Sequence, residues 1–335
     1  MPYLELEMLD MNRQYVLKKI IYSLITIFAV LVFNYFLFRV MPGNPLQILM
    51  RNPNASAEAI EKTKELFGLN KPAHIQFFIY IKSLFQGDLG TSFLYKGQPV
   101  TEVIGSRILP TLLMIGAAEI LAIITGIFIG VISAWKRGTK IDIISLSFSL
   151  ISYSMPTFWI GIVFVTIFCV QFRIFPTSGM MTPGLSYSSF MGKSLDVIKH
   201  LTLPVLTMSL VLIGQYALVM RSTLVDVLTE DYITTAHAKG FKEDYVIKKH
   251  AVPNAMLPMV TLIAINLGLV IAGAIQIETI FSWPGIGRLM YDAIKNRDYP
   301  LLQGIFLLVT ISVIIANLLA DLTYGYLDPR VKSRS

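Results

Sequence analysis

Six segments of this 335-residue chain are apolar over a length that would cross a lipid bilayer. A helix needs about 20 apolar residues to span the hydrocarbon core. By that measure the spans cover approximately residues 20–38, 110–135, 143–171, 201–220, 259–281 and 301–322. With 54% hydrophobic and only 15% charged residues, the chain is too apolar for an ordinary soluble domain. The pattern predicts an all-α membrane protein with six transmembrane helices.

Pro156 interrupts the third span, which is expected to tilt, to kink or to start at the membrane interface. Gly126 and Gly130 form a pair of small residues four positions apart in the second span, and they indicate close packing against another helix.

Basic residues cluster on one side of these spans. Residues 18–19 precede the first span and residues 136–140 follow the second. Further clusters lie at 221–249, between the fourth and fifth spans, and at 330–334, after the last. Because short loops rich in Lys and Arg stay in the cytoplasm, both termini are predicted to be cytoplasmic. The same clusters account for the formal net charge of +7, so no nucleic-acid partner is expected.

The first span is interpreted as a retained helix, because its length exceeds a signal-peptide core and no small-residue cleavage site follows. Two helices are expected in the loop after it, one running from Ser56 to Gly68 and one from Pro72 to Gly87. The predicted organisation is a leader (1–15), transmembrane helix 1 (16–40), a helical extracytoplasmic loop (41–98), a five-helix domain (99–325) and a cytoplasmic tail (326–335). Met11 is an alternative start of translation.

A polar stretch between the fourth and fifth spans, residues 231–261, is the most distinctive part of the chain. A short helix is expected over 231–239, with Gly240 as its left-handed stop. A second, separate helix is expected from about Lys242 to Ala251, before Pro253. Such a pair of helices, lying across the spans, would suit contact with a protein outside the membrane.

The spacing within this stretch resembles the EAA loop of ATP-binding-cassette importer permeases. Ala236 is followed by Gly240, His250 comes ten residues after that glycine, and Asn254 precedes Pro258 by four. Segments 42–45, 87–92 and 328–330 resemble those of the B-type subunits of dipeptide and oligopeptide permeases, so the resemblance covers residues 15–332. Within the loop, Thr-Thr-Ala stands in place of Glu-Ala-Ala, and His237 stands where many relatives have Arg.

The resemblance implies a type I importer permease whose loop, residues 226–258, docks into a groove of a separate ATPase. It implies a heterodimer with a homologous permease, two ATP-binding subunits that hold ATP and Mg, a solute-binding protein outside, and peptide as cargo in a bacterial or archaeal cell membrane. Ala236 is expected to contact the ATPase directly. The residues assigned to the coupling loop are Asp231, Tyr232, Thr235, Ala236, Ala238, Lys239, Gly240, Phe241, His250, Asn254, Leu257 and Pro258.

Polar residues within the spans are candidates for lining a substrate path. Glu119 lies near the middle of the second span, where an ionisable group is a functional hypothesis by default. A hydrogen bond between helices is the alternative for it, whereas Glu278 is expected to reach the membrane surface near the end of its span. The candidate path residues are Glu119, Ser154, Trp159, Gln215, Asn266 and Gln276.

Other functions are less consistent with the sequence. Gly192-Lys193-Ser194 lacks the earlier glycine of a phosphate-binding loop, because Tyr187 occupies that position. The four histidines are scattered, and no catalytic grouping is evident, so neither a metal site nor an enzyme is expected, and no cofactor is assigned to this chain. An ion-coupled transporter working alone remains the rival, with Glu119 as its relay, and a nickel chelate or a glycoside remains an alternative cargo within the family.

Overall fold

The structure is a computed structural model, which describes residues 2–40, 61, 72–270 and 273–327. Apart from residue 61, the helix expected from Ser56 to Gly68 lies outside these residues, as do the segments at 42–45 and 328–330. The helices are α1 (Pro2–Val40), α2 (Ala73–Phe85), α3 (Val100–Trp135), α4 (Lys140–Ser154), α5 (Thr157–Phe164, continued by a π-helical turn Val165–Gln171), α6 (Phe190–Val227), α7 (Asp231–Ala238), α8 (Glu243–Val246, continued by a π-helical turn Ile247–Ala251), α9 (Val252–Leu269), α10 (Ile275–Ile280), α11 (Ile286–Lys295) and α12 (Tyr299–Leu327).

Within the described part of the chain, five helical stretches are long and apolar enough to cross a membrane: Val16–Phe38, Val100–Trp135, Phe190–Val227, Glu243–Gly268 and Tyr299–Leu319. The pair α4 and α5 makes a sixth when it is counted as one broken span, bent by 97°. The bend lies at Pro156, as the sequence suggested. Proline disfavours helical geometry in the residue before it, and Met155 is accordingly extended, with ψ of 133°.

The fifth span differs from the sequence prediction at both ends. It was expected over 259–281, but the helix starts at Glu243 and ends at Leu269. The separate loop helix expected before Pro253 is therefore the first part of this span. Pro253 does not break the helix because the π-helical turn Ile247–Ala251 immediately precedes it. Such a turn rearranges the hydrogen bonds that a proline would otherwise interrupt.

Close packing of α3 against α6 forms the centre of the fold. A Cβ atom added to Gly126 would lie 2.5 Å from the Cβ of Tyr216, and one added to Gly130 would lie 2.6 Å from the Cβ of Met220. Two glycines four residues apart thus let the helices approach closely, as the sequence suggested. This approach places α3, α6 and α9 within reach of shared side-chain contacts.

Two hydrophobic clusters mark opposite ends of the helix bundle. One contains Ala134, Leu224, Ile233, Ala236 and Val246, and we call the end where it lies the loop end. The other joins Phe38 of α1 and Val100 of α3 to residues of α11 and α12, among them Ile286, Leu289 and Leu301, and it defines the opposite end. The short helices α7 and α11 therefore close the bundle at its two ends.

Candidate coupling surface and candidate path

The short helix α7 packs one side onto the loop end and exposes the other. Ile233 and Ala236 are only 2% and 7% exposed, and both belong to the apolar cluster at that end. Gly240 follows the helix with φ of +81° and donates its N–H to the carbonyl of His237 at 2.9 Å. The left-handed stop expected at Gly240 is confirmed. A Cβ there would meet no atom within 4 Å, so the backbone angle and not space favours glycine.

Ala236 faces the chain's own core, which corrects the expectation that it contacts the ATPase. It is packed with the apolar residues of α3, α6 and α8. A helix that turns Ile233 and Ala236 inward at a spacing of three must turn the residues between them outward. Ala236 therefore fixes the position of α7, while its neighbours form the accessible surface.

The outward side of the loop carries exposed aromatic and small polar residues. Tyr232, Phe241 and Tyr245 are 42%, 44% and 45% exposed. The rings of Phe241 and Tyr245 lie 5.1 Å apart, and that of His250 lies 6.2 Å and 5.8 Å from them. We define the loop surface as Asp231, Tyr232, Thr235, Ala238, Lys239, Phe241 and Tyr245, all exposed. Tyr245 was missed in the sequence because it lies outside the matched motif positions.

The other coupling-loop residues lie farther along the helix that becomes the fifth span. Asn254, Leu257 and Pro258 are exposed, but they follow His250 by one to two helical turns. The Asn254 side chain donates to the His250 carbonyl at 2.6 Å, so it is engaged within its own helix. The structure thus gathers residues 231–241 with Tyr245 and His250 and leaves the last three motif positions on α9.

A polar network ties the loop end to three helices. Arg221 of α6 donates to both carboxylate oxygens of Asp142 at the start of α4, at 2.7 Å and 2.9 Å. Ser133 of α3 donates to Asp142 at 2.7 Å, and so does the backbone N–H of Gly138 at 2.9 Å. In the sequence, Arg221 is one of the basic residues of the cluster 221–249 that indicate topology. The single acidic residue beside the basic stretch 136–140 was the available signal for its partner.

The indole of Trp135, at the end of α3, donates to Glu243 at the start of α8 at 2.9 Å. This hydrogen bond joins the second span to the N-terminal end of the fifth. Together with the Asp142 network, which joins α3, α4 and α6 to one another, it connects α8 to these helices. Force applied to the loop surface would therefore reach the spans through several fixed contacts.

Three of the six candidate path residues come together in the structure. Glu119 is 2% exposed and accepts a hydrogen bond from the hydroxyl of Tyr216. Asn266 donates to the same hydroxyl oxygen at 2.9 Å and lies 3.5 Å from the side-chain oxygen of Gln215. The network joins α3, α6 and α9, so the geometry favours the hydrogen bond between helices that was the alternative for Glu119.

The other three path candidates lie apart from this network. Ser154 and Trp159 are exposed on either side of the bend at Pro156. Gln276 lines an open cleft of about 350 Å³ with Thr157, Met208 and Ala274. Among the described residues, the six candidates thus divide into one buried network and separate exposed positions.

At the opposite end, Glu278 is fully buried, which corrects the expectation that it reaches the membrane surface. Thr111 of α3 donates to one of its oxygens at 2.9 Å, and the N–H of Arg288 donates to the other at 2.9 Å. Thr111 also accepts from the N–H of Ile286 at 2.8 Å. Burial raises the pKa of the Glu278 carboxyl, and the donors lower it by less. Glu278 thus fixes the N-terminal end of α11 to α3.

Asp298 holds the other end of α11 in a similar way. It is fully buried and accepts from the hydroxyl of Ser92 at 2.5 Å and from the N–H of Leu94 at 2.9 Å. The N–H of Leu301 donates to its second oxygen at 3.2 Å. Burial again raises the pKa of the carboxyl. The two carboxylates flank α11 and connect it to the segments before and within α3.

Comparison with protein families accounts for nearly the whole chain. Residues 126–333 match the model described as the inner membrane component of binding-protein-dependent transport systems. Residues 11–113 match the N-terminal model of the same membrane component. The chain belongs to this family.

Curated members of the family match end to end. The oligopeptide transport system permease protein AppB of Bacillus subtilis (strain 168) is 34% identical over 318 residues, covering 95% of this chain and 99% of AppB. The dipeptide transport system permease protein DppB of Alkalihalophilus pseudofirmus is 37% identical over 332 residues, with 95% and 99% covered. The glutathione transport system permease protein GsiC of Salmonella typhimurium is 36% identical over 318 residues, with 95% and 98% covered.

A solved structure supports the fold. A chain from inward-facing conformations of the MetNI methionine ABC transporter aligns with a TM-score of 0.56 at 14% identity, covering 69% of this chain and 99% of that one. The family and the helical fold expected from the sequence are therefore confirmed, and the chain is a multi-pass membrane protein.

Proposed function

We propose that this chain is the permease subunit of an ATP-driven importer that moves peptides into the cytoplasm. The observation that carries the proposal is the construction of the loop end, where a short helix is fixed by its buried side and presents an exposed surface. The names of the relatives support peptide as the cargo, since they describe oligopeptide, dipeptide and glutathione permeases.

The loop surface is the proposed docking site for an ATP-binding subunit. ATP and Mg would be held by two such subunits, and a homologous permease would complete the membrane part. A solute-binding protein would deliver peptide at the opposite end. The basic residues near the loop end, such as Arg137 and Lys249, support a cytoplasmic position for that end, because positive loops remain inside.

Movement would pass from the loop surface to the spans through the contacts already described. Ile233 and Ala236 place α7 in the apolar cluster that also contains residues of α3 and α6, so a shift of the loop would be passed to those helices. Packed interfaces switch between discrete arrangements and do not deform continuously. Closure of the ATPases would therefore bias the bundle between inward-open and outward-open packings, while this chain breaks no covalent bond.

The test is reconstitution in liposomes with the complete set of subunits. Uptake of labelled peptides with different side chains should require ATP and should continue when the proton gradient is collapsed. A nickel chelate and a glycoside serve as competing cargoes. Saturable uptake of either one, without saturable uptake of peptide, would contradict the cargo assignment. The rival ion-coupled transporter would require uptake by this chain alone under a pH gradient, and that result would overturn the proposal.

A further inference from the structure

The helix α2, in the loop expected outside the membrane, is apolar on two opposite sides. Its inner side carries Gln76, Phe77, Tyr80 and Leu84, and all four are buried or partly buried. At 100° per residue, positions 75, 78, 82 and 85 fall on the other side. There Ile75, Phe78 and Phe85 are 37%, 69% and 87% exposed. We call Ile75, Phe78, Lys82 and Phe85 the outer stripe.

Contacts on the inner side fix the depth of α2 relative to the spans. The ring of Tyr35, near the end of the first span, lies 5.2 Å from that of Phe77 and 5.6 Å from that of Tyr80. Tyr80 and Leu84 also line a small cavity with Gln303 and Leu307 of α12. These α12 residues lie four and eight positions after the start of the last span, or about 6 to 12 Å at 1.5 Å per residue.

With the first residue of the last span taken as the level of the membrane surface, this distance corresponds to the boundary between headgroups and acyl chains, because interfacial helices bury their apolar side by about 5 to 10 Å. Aromatic residues are enriched at the same level of membrane proteins. A helix that is apolar around most of its circumference is not stable in water unless another surface covers it. The exposed apolar surface of α1, which includes Phe33 and Phe36 at 65% and 56%, continues into the same level.

We propose that the outer stripe lies in the lipid of the leaflet at the opposite end, so that α2 is an interfacial membrane helix and not part of an aqueous loop. Phe78 and Phe85 insert between acyl chains. Lys82, exposed between them, extends its apolar stem along the helix and brings its ammonium group to the phosphate level. The inference rests on membrane insertion of the spans and does not depend on the cargo or on the ATPases.

Site-specific quenching by lipids tests the placement in the assembled complex in nanodiscs. The native Cys169 is buried and its thiol donates to the Pro176 carbonyl, so Cys169→Ser provides a background that retains a donor. An environment-sensitive fluorophore is then attached at Phe78→Cys or Phe85→Cys. Phe28→Cys, in the middle of the first span and 61% exposed, is the deep reference, and Gln98→Cys in an exposed turn is the aqueous one.

Fluorophores at 78 and 85 should lose more emission to a nitroxide placed high on the acyl chain than to one placed deep, and the reference at 28 should show the reverse order. The reference at 98 should respond only to a water-soluble quencher. Quenching at 78 and 85 that matched position 98 would overturn the proposal. It would equally be overturned if lipid quenching occurred for the isolated chain but disappeared in the complex, because a protein partner would then cover the stripe.

Discussion

At the loop end, Asp142 is paired with the guanidinium of Arg221, whereas at the opposite end Glu278 and Asp298 are held by hydroxyl and backbone N–H donors. A carboxylate beside a guanidinium stays ionised over the physiological range, and the pair resists changes in pH. A carboxylate held only by dipoles in a buried site is more easily protonated. The two ends of the bundle are therefore fixed by carboxylates that respond differently to changes in pH.

Arg221→Met should have the largest effect. It leaves Asp142, whose side chain is only 6% exposed, as a buried carboxylate without its guanidinium partner, held by Ser133 and the N–H of Gly138. Breaking such a pair typically costs about 3 to 5 kcal/mol of stability. Because Arg221 is 22% exposed, we expect a loss near the lower limit of this range. Thermal unfolding of the purified complex measures the change.

The matched control for that variant is Lys248→Met. Lys248 and Asp244 form an exposed pair on the same end, with side chains 69% and 54% exposed. Exposed pairs one helical turn apart contribute only about 0.3 to 0.5 kcal/mol. If both variants lost the same amount of stability, the buried network would contribute no more than the surface charges of the loop end.

Glu278→Ala should have the next largest effect, at the opposite end. It leaves the N–H of Arg288 without its acceptor, which costs about 1 to 3 kcal/mol. The hydroxyl of Thr111 can instead rotate to a backbone carbonyl within α3. Glu278→Gln retains an acceptor and should cost less. Hydrogen exchange of the amides at the start of α11 reports the local loss, and unchanged protection in the alanine variant would show that Glu278 does not hold this helix.

A pH dependence distinguishes the two ends further. Because burial raises the pKa of Glu278 above its ordinary value of 4.5, the folded state binds this proton more tightly than the unfolded state. Its contribution is therefore fully present below pH 4.5 and is lost as the pH rises through the folded pKa. Protection of the α11 amides should fall over that range in the native chain and change less in Glu278→Gln. A steeper fall in the variant would contradict the assignment.

Gly240→Ala should have the smallest effect on stability. The left-handed angle at Gly240 costs a residue with a Cβ about 1 kcal/mol. Gly116→Ala is the control, because Gly116 lies within α3, has no atom within 4 Å of an added Cβ and no positive φ. That control should be neutral or slightly stabilising, since alanine is favoured over glycine within a helix. Uptake should fall in Gly240→Ala and not in Gly116→Ala. Equal uptake by the two variants would show that Gly240 is not required for coupling.

The sequence was informative where one residue dictates local geometry. Pro156 predicted the bend, Gly240 the left-handed stop, and Gly126 with Gly130 the close helix packing. It misled where a neighbouring feature compensates, as at Pro253, where a π-helical turn keeps the helix continuous. The burial of Glu278 could not be predicted because its donors come from residues 167 and 10 positions away in the chain. Which side of α7 is buried likewise depends on the helices that it packs against, and the sequence of the loop alone does not specify them.

The central claim is that the loop surface contacts an ATP-binding subunit while Ile233 and Ala236 hold α7 on the bundle. Photo-crosslinking in the assembled complex tests it most directly, with a photoreactive residue at Ala238 or Phe241 and a control at Gln98. We expect a crosslink from positions 238 and 241 to an ATP-binding subunit and none from position 98. Crosslinks from 238 and 241 to lipid or to this chain alone, in a complex that hydrolyses ATP and transports, would contradict the account.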